Sequence, residues 1–118
     1  MIRTRRVYEA PGSGEGQRFL VERLWPRGMK KEVLARDGWL KDVAPSAALR
    51  RWFAHEPAKW QEFQRRYEAE LDARPEAWQP LLRAARRGRV TLLYSARDTE
   101  HNNALALQAY LEEKARRA

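Results

Sequence analysis

Two polar segments far apart in the chain carry the side chains best suited to chemistry. Residues 22–31 read ERLWPRGMKK, and residues 91–103 read TLLYSARDTEHNN. Each segment begins in an apolar stretch typical of a strand and ends in polar and charged residues. Because ligands of open α/β sheets collect at the carboxyl ends of the strands, both segments are expected to face one pocket.

The second segment offers a hydroxyl, a carboxylate and an imidazole after a predicted strand. Asp98 is expected to cap a helix that begins there, and the free backbone N–H groups of a helix start attract anions. His101 would lie in the first turn as a hydrogen-bond donor or proton shuttle. In the alternative, Asp98 is only a cap and His101 faces solvent. Closeness of Ser95, Asp98 and His101 across a helix start does not make a catalytic triad.

The first segment carries arginines around a tryptophan and a proline. Arg23 and Arg27 offer planar forks that match phosphate and carboxylate oxygens, and Trp25 is suited to stack on a flat ring or to support an arginine. In the alternative, Trp25 fills the core and the basic residues are solvated. Arg23 lies in an apolar stretch, where an unpaired charge would be costly, so a structural ion pair is a competing explanation. Candidate partners for that ion pair are Glu22, Asp42 and Asp98.

From both segments we predict a ligand-binding set made of Arg23, Trp25, Arg27, Tyr94, Ser95, Asp98, His101 and Asn102. His101 and Asp98 are the candidate catalytic residues. His55 either reaches a pocket or caps the C-terminus of a helix. The chain has no cysteine, and its two histidines lack metal-ligand spacing. Neither GxxxxGK[ST] nor GxGxxG occurs. We therefore expect no metal and no cofactor.

The balance of charge favours an anionic partner. The chain has 24 Lys and Arg against 16 Asp and Glu, a net charge of +8. Such a charge suits a small anionic ligand or a nucleic acid, or it only keeps the protein in solution. The lack of cysteine agrees with a reducing compartment. No apolar run approaches the roughly 18–20 residues that span a bilayer, and no secretory signal is recognised, so we expect a cytoplasmic protein without membrane contact. The oligomeric state stays open.

The hydrophobic pattern predicts one α/β domain over residues 1–118. Strands are predicted at residues 2–8, 18–24 and 90–94, with an ambiguous stretch at 39–43. Helices are predicted from Ser46 onward, over 57–71, around 77–85 and from Asp98 onward. Residues 90–94 are apolar throughout, which favours a central strand. We expect a small, mostly parallel sheet of three to four strands flanked by about four helices.

An ordered set of short motifs runs along nearly the whole chain. It includes Arg6-Val7-Tyr8, Leu24-Trp25-Pro26-Arg27-Gly28, Trp39-Leu40-Lys41-Asp42, Ala44-Pro45-Ser46, Leu49-Arg50, Trp52-Phe53, His55 with Pro57, Lys59-Trp60, Leu92-Leu93-Tyr94 and Asp98 with Glu100-His101-Asn102. In this set the chain resembles the DUF488 family, and within it the YeaO-like branch of short bacterial proteins. The resemblance implies an α/β fold and no established activity.

Other branches of this family look as though they carry a cysteine at the end of the last strand, an acid two residues later, and a Cys-His-Arg run at the next helix start. Here Tyr94, Ala96 and the run Asn102-Asn103-Ala104 hold those places. Asn103 also stands where a histidine is common within the branch. The resemblance therefore implies a catalytically depleted or repurposed protein. The leading hypothesis is binding of a small anionic or nucleotide-like ligand; the alternatives are nucleic-acid binding and an enzyme of unknown reaction that uses His101.

Overall fold

The computed structural model describes residues 2–9, 12, 14–34 and 37–117, apart from the Val33 side chain. Within these residues four strands form one sheet: β1 (Ile2–Arg6), β2 (Gln17–Leu20), β3 (Gly38–Trp39) and β4 (Val90–Tyr94). The strand order is β1-β4-β2-β3, and every pairing is parallel. This arrangement confirms the predicted α/β class and the small parallel sheet.

The central position of β4 follows from its composition. All five residues of β4 are buried, as expected for an apolar strand covered on both faces. Val90 lies opposite both Ile2 of β1 and Gln17 of β2. Because β2 and β4 run in the same direction, the loops that follow them leave the sheet at the same edge.

Four α-helices accompany the sheet in the described residues: α1 (Ala47–Phe53), α2 (Trp60–Asp72), α3 (Pro75–Arg87) and α4 (Asn103–Arg117). Short 3-10 helices occur at Lys31–Leu34, Lys41–Val43 and Pro57–Lys59. The predicted cap of α1 is confirmed, because the Ser46 hydroxyl accepts a hydrogen bond from the Leu49 N–H at 3.1 Å. No helix in the described ranges combines the length and apolar character that crossing a membrane would need.

The sheet separates a large core from a small one. The large core joins alternate residues of β4, such as Leu92 and Tyr94, to the buried faces of the four helices. The small core contains Leu20 and Leu93, with Trp25 and Trp39 packed against it. The opposite directions of neighbouring side chains along a strand account for this division.

Some predicted boundaries were wrong. The last helix begins at Asn103, and its N-cap is Asn102, whose Oδ1 accepts from the Leu105 N–H at 2.8 Å. Asp98 instead closes a turn, where its Oδ1 accepts from the N–H groups of Glu100 and His101. Both Asp and Asn are good caps, so local sequence did not distinguish them. β1 and β2 are shorter than predicted, and the ambiguous stretch forms β3 followed by a 3-10 helix.

Candidate functional site

A cleft of about 850 Å³ opens at the carboxyl ends of β2 and β4. One wall is the loop after β2, residues 22–27, and the opposite wall is the loop and turn after β4, residues 95–103. Helices α1 and α2 contribute further lining residues, among them Phe53 and Phe63. The two polar segments recognised in the sequence therefore meet in space.

Hydrogen bonds hold the two walls together. The Glu22 carboxylate accepts from the backbone N–H of Ser95, and the Asn103 amide donates to the Val21 carbonyl at 2.7 Å. The Trp39 indole N–H donates to the Glu22 carbonyl at 2.7 Å, which ties the same loop to β3. The loops that form the cleft are thus attached directly to each other and to the sheet.

In the part of the chain that the structure describes, five arginines line the cleft: Arg23, Arg27, Arg50, Arg51 and Arg97. In the described part of the chain, none of them forms a side-chain hydrogen bond or an ion pair. The Nε atoms of Arg23 and Arg50 are buried and have no hydrogen-bond partner among the described residues. Some arginines outside the cleft are paired; Arg66, for example, contacts Glu62 at 3.0 Å.

The structural ion pair considered for Arg23 is not formed within the described residues. Glu22 is engaged with Ser95, and Asp98 is engaged with His101. Asp42, the third candidate, lies outside the cleft lining. Arg23 follows the end of β2 instead of lying inside the strand, and it is half-buried at the cleft. Its charge is therefore held in a concave site where no described carboxylate pairs with it.

Asp98 and His101 form a side-chain pair on the second wall. Asp98 Oδ2 lies 2.9 Å from His101 Nδ1, and the His101 ring meets the Trp60 ring edge-on at 5.4 Å. The hydrogen bond from the Glu100 N–H, followed by that from the His101 side chain, lowers the pKa of Asp98. With Nδ1 engaged, Nε2 is the ring nitrogen left for a ligand.

The remaining predicted residues divide between the cleft and the protein interior. Ser95 lines the cleft, but no hydrogen bond joins its hydroxyl to His101 in the described residues. Trp25 lines the cleft and is also fixed to the protein, since its indole N–H donates to the Met29 carbonyl at 2.6 Å. Asn102 lines the cleft and is 3% exposed; its amide donates to the Asp98 carbonyl, so it supports the turn.

Tyr94 does not line the cleft, which corrects the prediction that it forms an aromatic wall. It is the last residue of a fully buried strand, and its ring packs with Leu92 in the large core. Burial accordingly raises the pKa of Tyr94. The alternation of side chains along β4 sends this ring toward the helices, and Ser95 is the first residue after the strand at the cleft.

Sequence reasoning missed the contribution of α1. Arg50 and Arg51 come from its last turn, and Phe53 lines the cleft beside them. His55, which the sequence placed either in a pocket or at a helix C-terminus, follows α1 and also lines the cleft. Ala54 and His55 both have left-handed backbone conformations, with φ of 49° and 56°. The apolar face of α1 was visible in the sequence, but nothing local indicated that its arginines line the same cleft as the loop after β2.

In the described ranges, no group of three or more His, Cys, Asp or Glu side chains could hold a metal ion. Among the described residues, the ionisable side chains that line the cleft are mainly guanidinium groups, beside two carboxylates and two imidazoles. This set is suited to hold oxyanions such as phosphates and carboxylates.

Comparison with known proteins identifies the relatives of this chain. Residues 1–118 match the family model described as "DUF488-N3i: Inactive DUF488-N3 subclade". The chain belongs to the DUF488 family. Over 110 residues it is 42% identical to the Uncharacterized protein YeaO of Escherichia coli (strain K12), which covers 93% of this chain and 96% of the relative. The expected place in the DUF488 family, on its YeaO-like branch, is confirmed.

Mycobacterial relatives of this DUF488 protein cover a shorter stretch. The Uncharacterized protein Rv3073c of Mycobacterium tuberculosis (strain ATCC 25618 / H37Rv) is 47% identical over 70 residues, which are 59% of each chain. The Uncharacterized protein Mb3100c of Mycobacterium bovis (strain ATCC BAA-935 / AF2122/97) gives the same values. No solved structure matches the chain significantly.

Proposed function

We propose that the cleft binds a small anionic or nucleotide-like ligand. The observation that supports this most directly is the pair of half-buried guanidinium groups of Arg23 and Arg50, whose buried Nε atoms have no partner among the described residues. A buried polar atom without a hydrogen bond costs about 1–3 kcal/mol, and such atoms are rare in native proteins. Phosphate or carboxylate oxygens bound in the cleft would neutralise the charge of these two guanidinium groups.

The apolar part of the cleft supports a ligand that also carries a flat ring. Phe53 and Phe63 stack with ring centroids 4.4 Å apart, and both line the cleft together with Trp25. A volume of about 850 Å³ is within the range of sites that hold ligands of nucleotide size. Apolar walls beside cationic groups are the combination that a nucleotide requires.

The test compares Arg23→Gln with the unmodified protein in thermal-shift and calorimetric titrations against inorganic phosphate, pyrophosphate and nucleotides. We expect the variant to bind these anions at least about tenfold more weakly, a loss of about 1.4 kcal/mol. Arg65→Gln is the matched control, because it removes the same charge from an exposed arginine that pairs with Glu62 outside the cleft. Equal binding by all three proteins would contradict the proposal.

The proposal includes binding without catalysis, in the cytoplasm. Two observations support the lack of catalysis. The description of the matching family model contains the word "Inactive", and the Ser95 hydroxyl makes no hydrogen bond with His101 among the described residues. The contact between Asp98 and His101 favours the alternative of an enzyme that uses His101 as an acid or base. That alternative requires an activity that depends on pH and is lost in His101→Ala.

Nucleic-acid binding is the second candidate function, and the surface of α3 favours it. Arg83, Arg86 and Arg87 share one exposed helix face, and exposed Arg89 follows the helix. None of the four forms an ion pair with a described carboxylate. They precede β4, whereas the cleft follows it, so this basic face lies at the other end of the strand. Phosphates of a nucleic-acid backbone would fit such a row of guanidinium groups.

This candidate is tested by titrating labelled single- and double-stranded oligonucleotides at several salt concentrations. The double variant Arg86→Gln and Arg87→Gln should weaken binding and reduce the salt slope by about 2, one unit for each lost phosphate contact. The double variant Arg65→Gln and Arg66→Gln carries the same change of charge on α2 and should leave the slope unchanged. An equal effect of both double variants, or no binding at low salt, would remove this candidate.

A further inference from the structure

We infer that the cleft selects a ligand with two linked phosphate groups, such as a nucleoside diphosphate or a longer polyphosphate, over one with a single phosphate. This inference rests on the proposed function and adds the chemical class of the ligand. Three features carry it: the excess of positive charge, the division of the arginines by burial, and their origin on three separate segments.

The charges of the cleft are not balanced by the protein. Among the described residues, five arginines and two carboxylates line it, so their positive charges exceed the negative ones by three. Both carboxylates are already engaged, Glu22 with Ser95 and Asp98 with His101. A phosphate monoester carries about −1.5 to −2 charges at neutral pH, which leaves part of the excess uncompensated. A second phosphate group would compensate the rest.

Burial divides the arginines into an inner pair and an outer trio. The inner pair, Arg23 and Arg50, is half-buried with its Nε atoms shielded from solvent. The outer trio, Arg27, Arg51 and Arg97, is exposed at the rim. A single phosphate held by the inner pair would leave the outer trio without an anion. A second phosphate linked to the first would extend toward the rim.

The arginines of both groups come from three segments of the chain. Arg23 and Arg27 share the loop after β2, and Arg50 and Arg51 are neighbours on α1. Each of these segments contributes one arginine to the inner pair and one to the outer trio, while Arg97 comes from the loop after β4. Donors on several walls suit the three oxygens of a terminal phosphate better than the two coplanar oxygens of a carboxylate.

The experiment is calorimetric titration of the full chain, in the presence of EDTA, with two matched series. One series is inorganic phosphate and pyrophosphate, and the other is adenosine, AMP, ADP and ATP. We expect pyrophosphate to bind at least about tenfold more tightly than phosphate, and ADP at least about tenfold more tightly than AMP. Because the outer trio is exposed, this preference should shrink as the salt concentration rises.

Variants separate the two groups of arginines. The double variant Arg51→Gln and Arg97→Gln should weaken binding of pyrophosphate and ADP more than binding of phosphate and AMP, so that the preference for the second phosphate is lost. Arg23→Gln should weaken the binding of every phosphate-containing ligand in both series. The double variant Arg65→Gln and Arg66→Gln, with the same change of net charge outside the cleft, should behave as the unmodified protein.

The outcomes distinguish this inference from the function on which it rests. Binding of phosphate and pyrophosphate within about twofold of each other, with AMP and ADP alike, would overturn the inference and leave anion binding standing. If the outer double variant and the control lost the preference equally, the preference would come from net charge alone. That result would also overturn the inference. Absence of binding in both series would remove the inference together with the proposed function.

Discussion

The Glu22 carboxylate accepts a hydrogen bond from the backbone N–H of Ser95, and this contact joins the two loops that form the cleft. Glu22 follows β2 and Ser95 follows β4. The hydrogen bond therefore connects these neighbouring parallel strands beyond their last paired residues. The same residue is attached to β3 through Trp39. Glu22 is therefore a structural carboxylate inside a cationic site.

Replacing Glu22 with alanine should lower the free energy of unfolding by about 1–3 kcal/mol, because the half-buried N–H of Ser95 loses its acceptor. Glu22→Gln keeps an oxygen acceptor at the same place and should lose less stability than Glu22→Ala. Urea unfolding of the three proteins measures both differences. A stability of Glu22→Ala equal to that of the unmodified protein would show that the bond does not stabilise the fold.

Asn102 should contribute to stability as the N-cap of α4. Asn102→Ala removes the acceptor for the Leu105 N–H and should cost about 1 kcal/mol, within the usual range for helix caps. Asn102→Asp keeps the cap and removes the amide that donates to the Asp98 carbonyl. Circular dichroism during urea unfolding should therefore rank the aspartate variant above the alanine variant. The reverse order would mean that the amide donor matters more than the cap.

Asp98 should make stability depend on pH in the acid range. Its folded-state pKa is below the ordinary value of 3.8, so its contribution is fully present above that value and is lost as the pH falls through the lower, folded-state pKa. Asp98→Asn should therefore differ most in melting temperature from the unmodified protein near neutral pH, and the difference should narrow in strong acid. Melting curves between pH 2 and 7 measure this effect. A difference that widens on acidification would contradict the assigned shift.

Ala54 ends α1 in a left-handed conformation, with φ of 49°, which an alanine side chain disfavours. Ala54→Gly should raise the free energy of unfolding by about 0.5 kcal/mol, since relief of this strain exceeds the entropy that glycine adds to the unfolded chain. Ala48→Gly, at an exposed helical position of α1, is the control and should lower stability by about 1 kcal/mol. Thermal unfolding of both variants should give shifts of opposite sign.

Several parts of the fold were predictable because short-range patterns determine them. The apolar run of β4 indicated a buried central strand, and Ser46 before an amphipathic segment indicated the start of α1. The meeting of the two polar segments followed from one rule, that loops after parallel strands share an edge of the sheet. The start of α4 was not predictable, because Asp98 and Asn102 are both good caps and tertiary packing chose between them.

The sequence by itself determined the α/β class, the family, and the two loops that bound the cleft, since these depend on hydrophobic pattern and on an ordered set of motifs. Only the tertiary structure decided that Arg50 and Arg51 complete the cleft, that Tyr94 belongs to the core, and that Arg23 lacks a carboxylate partner among the described residues. The physical reason is that these outcomes depend on contacts between residues distant in the chain. Local propensity carries no information about which helix packs against which loop.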